Sequence, residues 1–123
     1  IDLSGWKIDY ASGNGTSTLT IPSSQSIAAG GYYLVTSTAT SVGDNLLSGT
    51  SDSAESLSLT PSQTNSLVLK NSTNTIYDRA LAPWPAGLAN TPASMERKAI
   101  PGNGLVASNW YTAQTGSGFF DIA

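Results

Sequence analysis

The fold is decided first by residues 6–21, WKIDYASGNGTSTLTI. Apolar and polar side chains alternate from Trp6 to Tyr10 and again from Thr18 to Ile21, which is the period of a β-strand with one buried face. Between these runs, residues 12–15 (SGNG) are rich in residue types that tolerate positive φ, and Pro22 ends the second run. The stretch therefore predicts a β-hairpin with a tight turn.

Short runs typical of β-strands continue along the chain, and no amphipathic helical stretch is evident. The further predicted strands are 32–36, 55–59, 66–70, 75–79, 94–98 and 109–112, with a long polar loop at 38–52 and a Pro-rich loop at 82–87. Seven or so short strands separated by turn residues predict an all-β fold of the β-sandwich type. A length of 123 residues suits a single domain, residues 1–123.

The composition favours an extracellular or cell-surface protein. Only 11% of the residues are charged, so Ser, Thr, Gly and Asn must supply most of the solvated surface. The five basic residues are scattered along a chain of net charge −3, which disfavours nucleic-acid binding. No apolar run is long enough for a membrane span. The chain begins at Ile1 without an initiator Met, which suggests an excerpt or a processed product.

The residue types present argue against an enzyme. The chain has no Cys and no His, so it lacks thiolate ligands, the usual general base and the commonest metal ligand. The many Ser residues have no His to act as their base, and Glu55 and Glu96 have an ordinary solvated interpretation. The acids of residues 44–55 fit no calcium loop and are better explained as solvated loop residues. We therefore predict a non-catalytic domain with no cofactor and no metal site.

Several stretches, taken in order, resemble the lamin tail domain family. These are residues 2–6 (DLSGW), 27–36 (IAAGGYYLVT), 65–69 with 76–78 (NSLVL and IYD), 94–97 (SMER) and 109–110 (NW). The match spans about residues 1–116, and an ordered set of elements is far more specific than any one of them. The resemblance implies an immunoglobulin-like β-sandwich of the lamin tail domain type, found in nuclear lamins and in secreted bacterial proteins, with no activity of its own.

The chain departs from the family at its two ends. The first family strand is apparently absent, because the chain begins just before the Leu-Ser-Gly-Trp element. Residues 117–123 lie beyond the usual family end and form a possible extra strand. One hypothesis is that this tail, from the same chain or a neighbouring one, adds to the edge that is left open. The alternative is that upstream residues were trimmed or are disordered.

The residues shared with the family have expected structural roles. Gly5 suits a tight turn, Trp6 and Trp110 are core candidates, and Gly30 with Gly31 permits a backbone reversal before a strand. Arg97 is expected to hold a carboxylate, either Asp78 or Asp9. The alternative for Arg97 is an exposed side chain with no fixed partner.

The leading functional hypothesis is a structural or protein-interaction module of a secreted or cell-surface protein. Its expected partners are another protein or neighbouring domains of the parent protein, and self-association through strand addition is a further possibility. The alternative is a carbohydrate or cell-wall binding module with Trp84 and Tyr111 as ligand-binding candidates, because Pro83 and Pro85 would hold Trp84 on a stiff loop. A Trp84 ring folded over an open end of the sandwich is the competing interpretation.

Overall fold

The structure is a computed structural model, and it describes residues 1–12, 15–36, 52–54, 65–87, 93–98, 100 and 102–113. These residues form β-strands and one short 3-10 helix, which confirms the all-β prediction. The strands in chain order are β1 Lys7–Ser12, β2 Gly15–Thr20, β3 Val35–Thr36, β4 Ser53–Ala54, β5 Ser66–Lys70, β6 Ile76–Ala80, β7 Met95–Arg97 and β8 Trp110–Thr112, with the 3-10 helix Ala107–Asn109 directly before β8.

The largest sheet of the described residues has four antiparallel strands in the order β2-β1-β5-β6. The predicted hairpin is present as β1 and β2, whose pairing ends with Ser12 opposite Gly15. Strand β5 lies on the other side of β1, with Ile8 opposite Leu69 and Tyr10 opposite Leu67. Two smaller described sheets join β3 to β4 in parallel and β7 to β8 in antiparallel orientation.

The register of the four-stranded sheet separates an apolar face from a polar face. Residues that pair directly across antiparallel strands point to the same face, so Ile8, Leu19 and Leu69 share one side. Leu3, Leu19 and Ile21 form the buried core cluster on this side. The partly buried side chains packed against the cluster are Trp6, Ile8, Ile27, Tyr33 and Val35. The segment that leads into β3 therefore packs over the apolar side of the hairpin.

Two similar turns bring the chain into this core. The Trp6 N–H donates to the Leu3 carbonyl at 3.0 Å, and Gly5 between them has a φ of 72°. The Gly31 N–H donates to the Ala28 carbonyl at 3.0 Å, and Gly30 has the same φ of 72°. Each glycine occupies the third position of a four-residue turn where positive φ is required, which glycine adopts at no steric cost.

Some strands differ in length from the predictions. The strand predicted at 32–36 is reduced to Val35–Thr36, because Asp52 Oδ2 accepts the Leu34 N–H at 2.8 Å. The Leu34 carbonyl in turn accepts the Asp52 N–H at 2.9 Å. A side chain thus takes the place of a strand partner before β3 begins. The predicted strand 55–59, most of the predicted loop 38–52 and the tail 117–123 lie outside the described residues.

Candidate functional site

A cleft of about 440 Å³ lies at the outer edge of β6. Its lining comes from β6 and the turn before it, from the end of β7, and from the loop that follows β7. The lining residues are Ile76, Tyr77, Asp78, Arg79, Arg97, Gly102, Asn103 and Gly104. The volume falls in the range of small-ligand sites in proteins. We refer to it as the arginine cleft, because both arginines of the chain line it.

A β-bulge places Tyr77 at this cleft. Asp78 pairs with Leu69, whereas Lys70 pairs with Ile76, so Tyr77 is the extra residue on β6. A bulge redirects the side chain of the inserted residue, and Tyr77 is 61% exposed. Its ring centroid lies 4.6 Å from that of Trp6 with an interplanar angle of 47°. The tilted contact holds the Tyr77 ring while leaving much of its surface accessible.

Arg97 connects the elements around the cleft. Its Nη2 lies 3.4 Å from Asp78 Oδ2 and donates to the Gly102 carbonyl oxygen. The guanidinium carbon lies 4.5 Å from the centroid of the Trp110 ring, within the range of a cation–π interaction. Nε and Nη1 of Arg97 are buried and have no hydrogen-bond acceptor among the residues that the structure describes. Arg97 is therefore held in place while two of its nitrogen donors stay unsatisfied.

The loop that follows β7 is fixed to its neighbours by hydrogen bonds. Trp110 Nε1 donates to the Gly104 carbonyl at 2.8 Å, and Asn109 Nδ2 donates to the Asn103 carbonyl at 2.9 Å. Gly104 is buried, and a Cβ on it would collide with the Arg79 carbonyl oxygen and with Asp78 Oδ1. The loop thus lies directly against β6.

Arg79 lines the same cleft but differs from Arg97 in its contacts. Arg79 pairs with Val68 and lies on the polar face of the sheet, whereas Asp78 pairs with Leu69 on the apolar face. The Arg79 guanidinium has no hydrogen bond or ion pair with any part of the chain that the structure describes. The lining therefore carries two guanidinium groups and one carboxylate, a net charge of +1 in a chain of net charge −3.

The polar face of the sheet carries a second charged group. Thr18 Oγ1 donates to Asp9 Oδ1 at 2.7 Å, and Lys70 Nζ donates to Asp9 Oδ2. The hydrogen bond from Lys70, followed by that from Thr18, lowers the pKa of the Asp9 carboxyl below its ordinary value of 3.8. Asp9 is therefore paired with Lys70, and Asp78 is the carboxylate that contacts Arg97.

The ligand-binding candidates from the sequence lie outside the arginine cleft. Trp84 is half-buried on the loop that contains the cis peptide bond Ala82–Pro83. Tyr111 lies on β8 opposite Glu96, and its hydroxyl donates to Glu96 Oε2 at 2.5 Å. This hydrogen bond raises the pKa of the Tyr111 phenol. Among the described contacts, none joins Trp84 to Tyr111 or to the cleft.

Trp6 and Trp110, the two predicted core residues, lie at the described core cluster and beside the cleft, respectively. Trp6 packs against the core cluster, Trp110 lies under the Arg97 guanidinium, and both are half-buried. No sequence pattern predicts Tyr77, Arg79 or Asn103 as site residues. The turn-forming run Gly102-Asn103-Gly104, a few residues after Arg97, predicts a loop at this position. The contact of this loop with β6 depends on the tertiary fold.

Within the described ranges, no group of three or more acidic, His or Cys side chains is placed to hold a metal ion. Within the same ranges, no helix is long and apolar enough to cross a membrane. Comparison of the chain with protein-family models, with curated proteins and with solved structures finds no match. The resemblance to the lamin tail domain therefore stays a prediction from the sequence.

Proposed function

We propose that this domain is a non-catalytic protein-interaction module of a secreted or cell-surface protein, built as an immunoglobulin-like β-sandwich of the lamin tail type. The observation that carries the proposal is the exposed edge of β2. Within the described residues β2 pairs only with β1, and every residue of β2 except Leu19 is exposed. An unpaired strand edge offers a row of backbone donors and acceptors to a further strand.

Strand β2 lacks three features that commonly protect an edge: charged residues, proline and a bulge. Its sequence, GTSTLT, contains no charged residue and no proline, and its pairing with β1 runs without a bulge. Proteins commonly use lysines, prolines and bulges to prevent strand addition at such edges. The opposite edge of the sheet differs, because Gly104 lies against the β6 backbone at Arg79. Among the described residues, the β6 edge is thus covered by the loop, whereas the β2 edge has no partner strand.

The sandwich assignment is supported by the layer over the apolar face of the sheet. Ile27, Tyr33 and Val35 pack against the core cluster from a segment outside the four-stranded sheet. Two packed layers around one core are what a β-sandwich requires. The absence of His and Cys from the sequence and its low charge support the non-catalytic and extracellular parts of the proposal.

The proposed occupant of the β2 edge is the tail 118–123 (GFFDIA) of a neighbouring copy, an apolar segment suited to a strand. The test is molar mass by light scattering over a concentration series for the full chain and for a chain that ends at Ser117. We expect the mass of the full chain to rise with concentration, while the shortened chain stays monomeric. A monomeric full chain, or equal association of both chains, contradicts this mode of interaction.

A single-residue variant tests the edge directly. In a hairpin that closes with the Ser12–Gly15 pair, the next residue, Thr16, directs its N–H away from β1. Thr16→Pro removes that outward donor, so it should abolish association. Thr16→Val keeps the N–H and the strand propensity, so it should associate like the unmodified chain. Circular dichroism of both variants checks that the sheet is retained.

Glycan recognition through Trp84 stays the alternative prediction. The Trp84 side chain is half-buried, so part of the ring is accessible for stacking against a sugar. Titration with neutral cell-wall glycans, with Trp84→Ala as the comparison, tests it. Saturable binding that is lost in Trp84→Ala supports the alternative, and absence of saturable binding counts against it.

A further inference from the structure

We propose that Asn71 is an acceptor site for an N-linked oligosaccharide. Asn71-Ser72-Thr73 is an Asn-x-Thr triplet without proline at its middle position, which is the acceptor sequence for N-glycosylation in secreted proteins. A second triplet begins at Asn14, which lies outside the described residues. The inference rests on the secreted part of the proposed function, and it is independent of the β2 edge.

The triplet lies in the turn that joins β5 to β6. The Asn71 N–H donates to the Thr75 carbonyl at 2.9 Å, and the Asn74 N–H donates to the Asn71 carbonyl at 3.0 Å. Residues 72–75 are exposed, and Asn71 is half-buried. Tight turns at the surface are where a bulky, solvated modification can be accommodated without disturbing a core. The folded protein therefore leaves room for a sugar at this turn.

The fold uses the side-chain oxygen of Asn71 and not its side-chain nitrogen. Oδ1 accepts the Thr73 N–H at 3.0 Å, the Thr73 hydroxyl at 2.9 Å and the Thr75 N–H at 2.8 Å. Nδ2 has no hydrogen-bond partner among the residues that the structure describes. An aspartate would accept the same three hydrogen bonds. The turn thus does not require an amide, whereas an N-linked sugar does.

The hydroxyl of the triplet lies beside the acceptor amide. Thr73 Oγ1 donates to Asn71 Oδ1, so the third position of the acceptor sequence is in direct contact with the first. The co-reactant is an oligosaccharide carried on a lipid pyrophosphate. Nδ2 attacks the anomeric carbon of the sugar, and the bond from that carbon to the pyrophosphate oxygen breaks with its electron pair. Nδ2 loses one proton, and Oδ1 keeps its place in the turn.

The test is secretion of the full chain from a eukaryotic host behind a cleavable leader, followed by peptide mapping of the protein in the medium. Peptide N-glycosidase in heavy-oxygen water converts each glycosylated Asn to a labelled Asp, so mass spectrometry reads Asn71 and Asn14 separately. We expect the label at Asn71 in most secreted chains. A digest without the enzyme corrects for spontaneous deamidation. Because the leader imposes secretion, a negative result counts against the acceptor site and not against the proposed function.

Matched variants separate the triplet from the turn. Asn71→Asp keeps the Oδ acceptor and removes Nδ2, so the glycan should be lost while the midpoint of urea unfolding stays the same. Thr73→Val removes the hydroxyl and should abolish the label, whereas Thr73→Ser keeps a hydroxyl and should retain part of it. Asn74→Asp is the control, because Ile76 stands at the third position after Asn74 and supplies no hydroxyl. This control should leave the label at Asn71 unchanged.

Four results would overturn the proposal. They are a secreted chain without label at Asn71, a label that persists in Thr73→Val, a label that is lost in Asn74→Asp, and a urea midpoint that falls as far in Asn71→Asp as in Asn71→Ala. The last result would show that the fold does use the amide nitrogen. None of these outcomes depends on whether the β2 edge takes up a strand, which light scattering tests separately.

Discussion

At the scale of single residues, the Arg97 guanidinium joins three parts of the chain. It reaches Asp78 on β6, the Gly102 carbonyl in the loop after β7, and the ring of Trp110 on β8. A lysine at this position lacks the planar group that can stack on the indole while donating to the Gly102 carbonyl beside the Asp78 carboxylate. The shape of the arginine cleft therefore depends on the guanidinium and on more than its charge.

Gly104 gives a prediction about packing against β6. A Cβ at this position would collide with the Arg79 carbonyl and Asp78 Oδ1, so Gly104→Ala must push the loop away from the strand. We expect a loss of about 2 kcal/mol in the free energy of unfolding measured in urea. Gly30→Ala is the control, because nothing lies within 4 Å of its added Cβ and only the strain of a φ of 72° applies, about 1 kcal/mol. A smaller loss for Gly104→Ala than for Gly30→Ala contradicts the packing.

Asp9 gives a prediction about pH. Hydrogen bonds from Lys70 and Thr18 lower its folded-state pKa below 3.8, so the ionised form is favoured in the folded protein over the unfolded chain. The stabilisation is fully present above the ordinary pKa and is lost as the pH falls through the lower folded pKa. Asp9→Asn should cost about 1 kcal/mol at pH 7, and the difference between the two proteins should disappear on acidification. Urea unfolding from pH 7 to pH 2 measures this, and a difference that is independent of pH is the contrary result.

At the scale of elements, strand β2 has one side chain in the core and the others exposed. Leu19 is 5% exposed and belongs to the core cluster, whereas its neighbours Thr18 and Thr20 are exposed on the opposite face. The alternation follows from the two-residue period of a strand. One face of β2 thus packs in the core, while its polar face is exposed and its outer backbone edge has no partner strand among the described residues.

This alternation gives a matched pair of variants. Leu19→Ala leaves a cavity in the core, so it should lower the free energy of unfolding by about 2–4 kcal/mol. Thr20→Ala, at the adjacent exposed position, should change it by less than about 0.5 kcal/mol. Chemical denaturation of the two variants beside the unmodified chain is the measurement. Similar losses at both positions would show that Leu19 does not face the core.

At the scale of the whole molecule, the described strands differ in the number of their neighbours. Strands β1 and β5 each have a partner strand on both sides, whereas β7 and β8 pair with one another within the described parts. Stability is expected to be greatest where backbone hydrogen bonds are shielded on both sides. The central pair of the sheet should therefore be the last of the described strands to open.

Amide hydrogen exchange followed by NMR tests this order. We expect the hydrogen-bonded amides of β1 and β5 to exchange about tenfold or more slowly than those of β7 and β8, since partial opening suffices to expose a two-stranded sheet. The comparison is internal to one sample and needs no variant. Equal protection in both sheets would show that the small sheet unfolds only together with the large one.

The sequence by itself determined the features that depend on near neighbours in the chain. The hairpin of β1 and β2, the strands β5 and β6, and the turns at Gly5 and Gly30 follow from alternation and from residues that adopt positive φ. The missing His and Cys and the low charge are also read from composition alone, and the functional predictions drawn from them stay predictions. All of these are local or additive properties, so no knowledge of the fold is needed to infer them.

The tertiary structure alone decided which distant segments meet. The sequence offered Asp9 and Asp78 as partners for Arg97, and the register of the sheet assigns Asp9 to Lys70 and Asp78 to Arg97. The bulge that exposes Tyr77 and the contact of Gly104 with β6 have no local signature. Each depends on how strands far apart in sequence align, and a shift of one residue would turn every side chain to the other face. The arginine cleft therefore exists only in the folded chain.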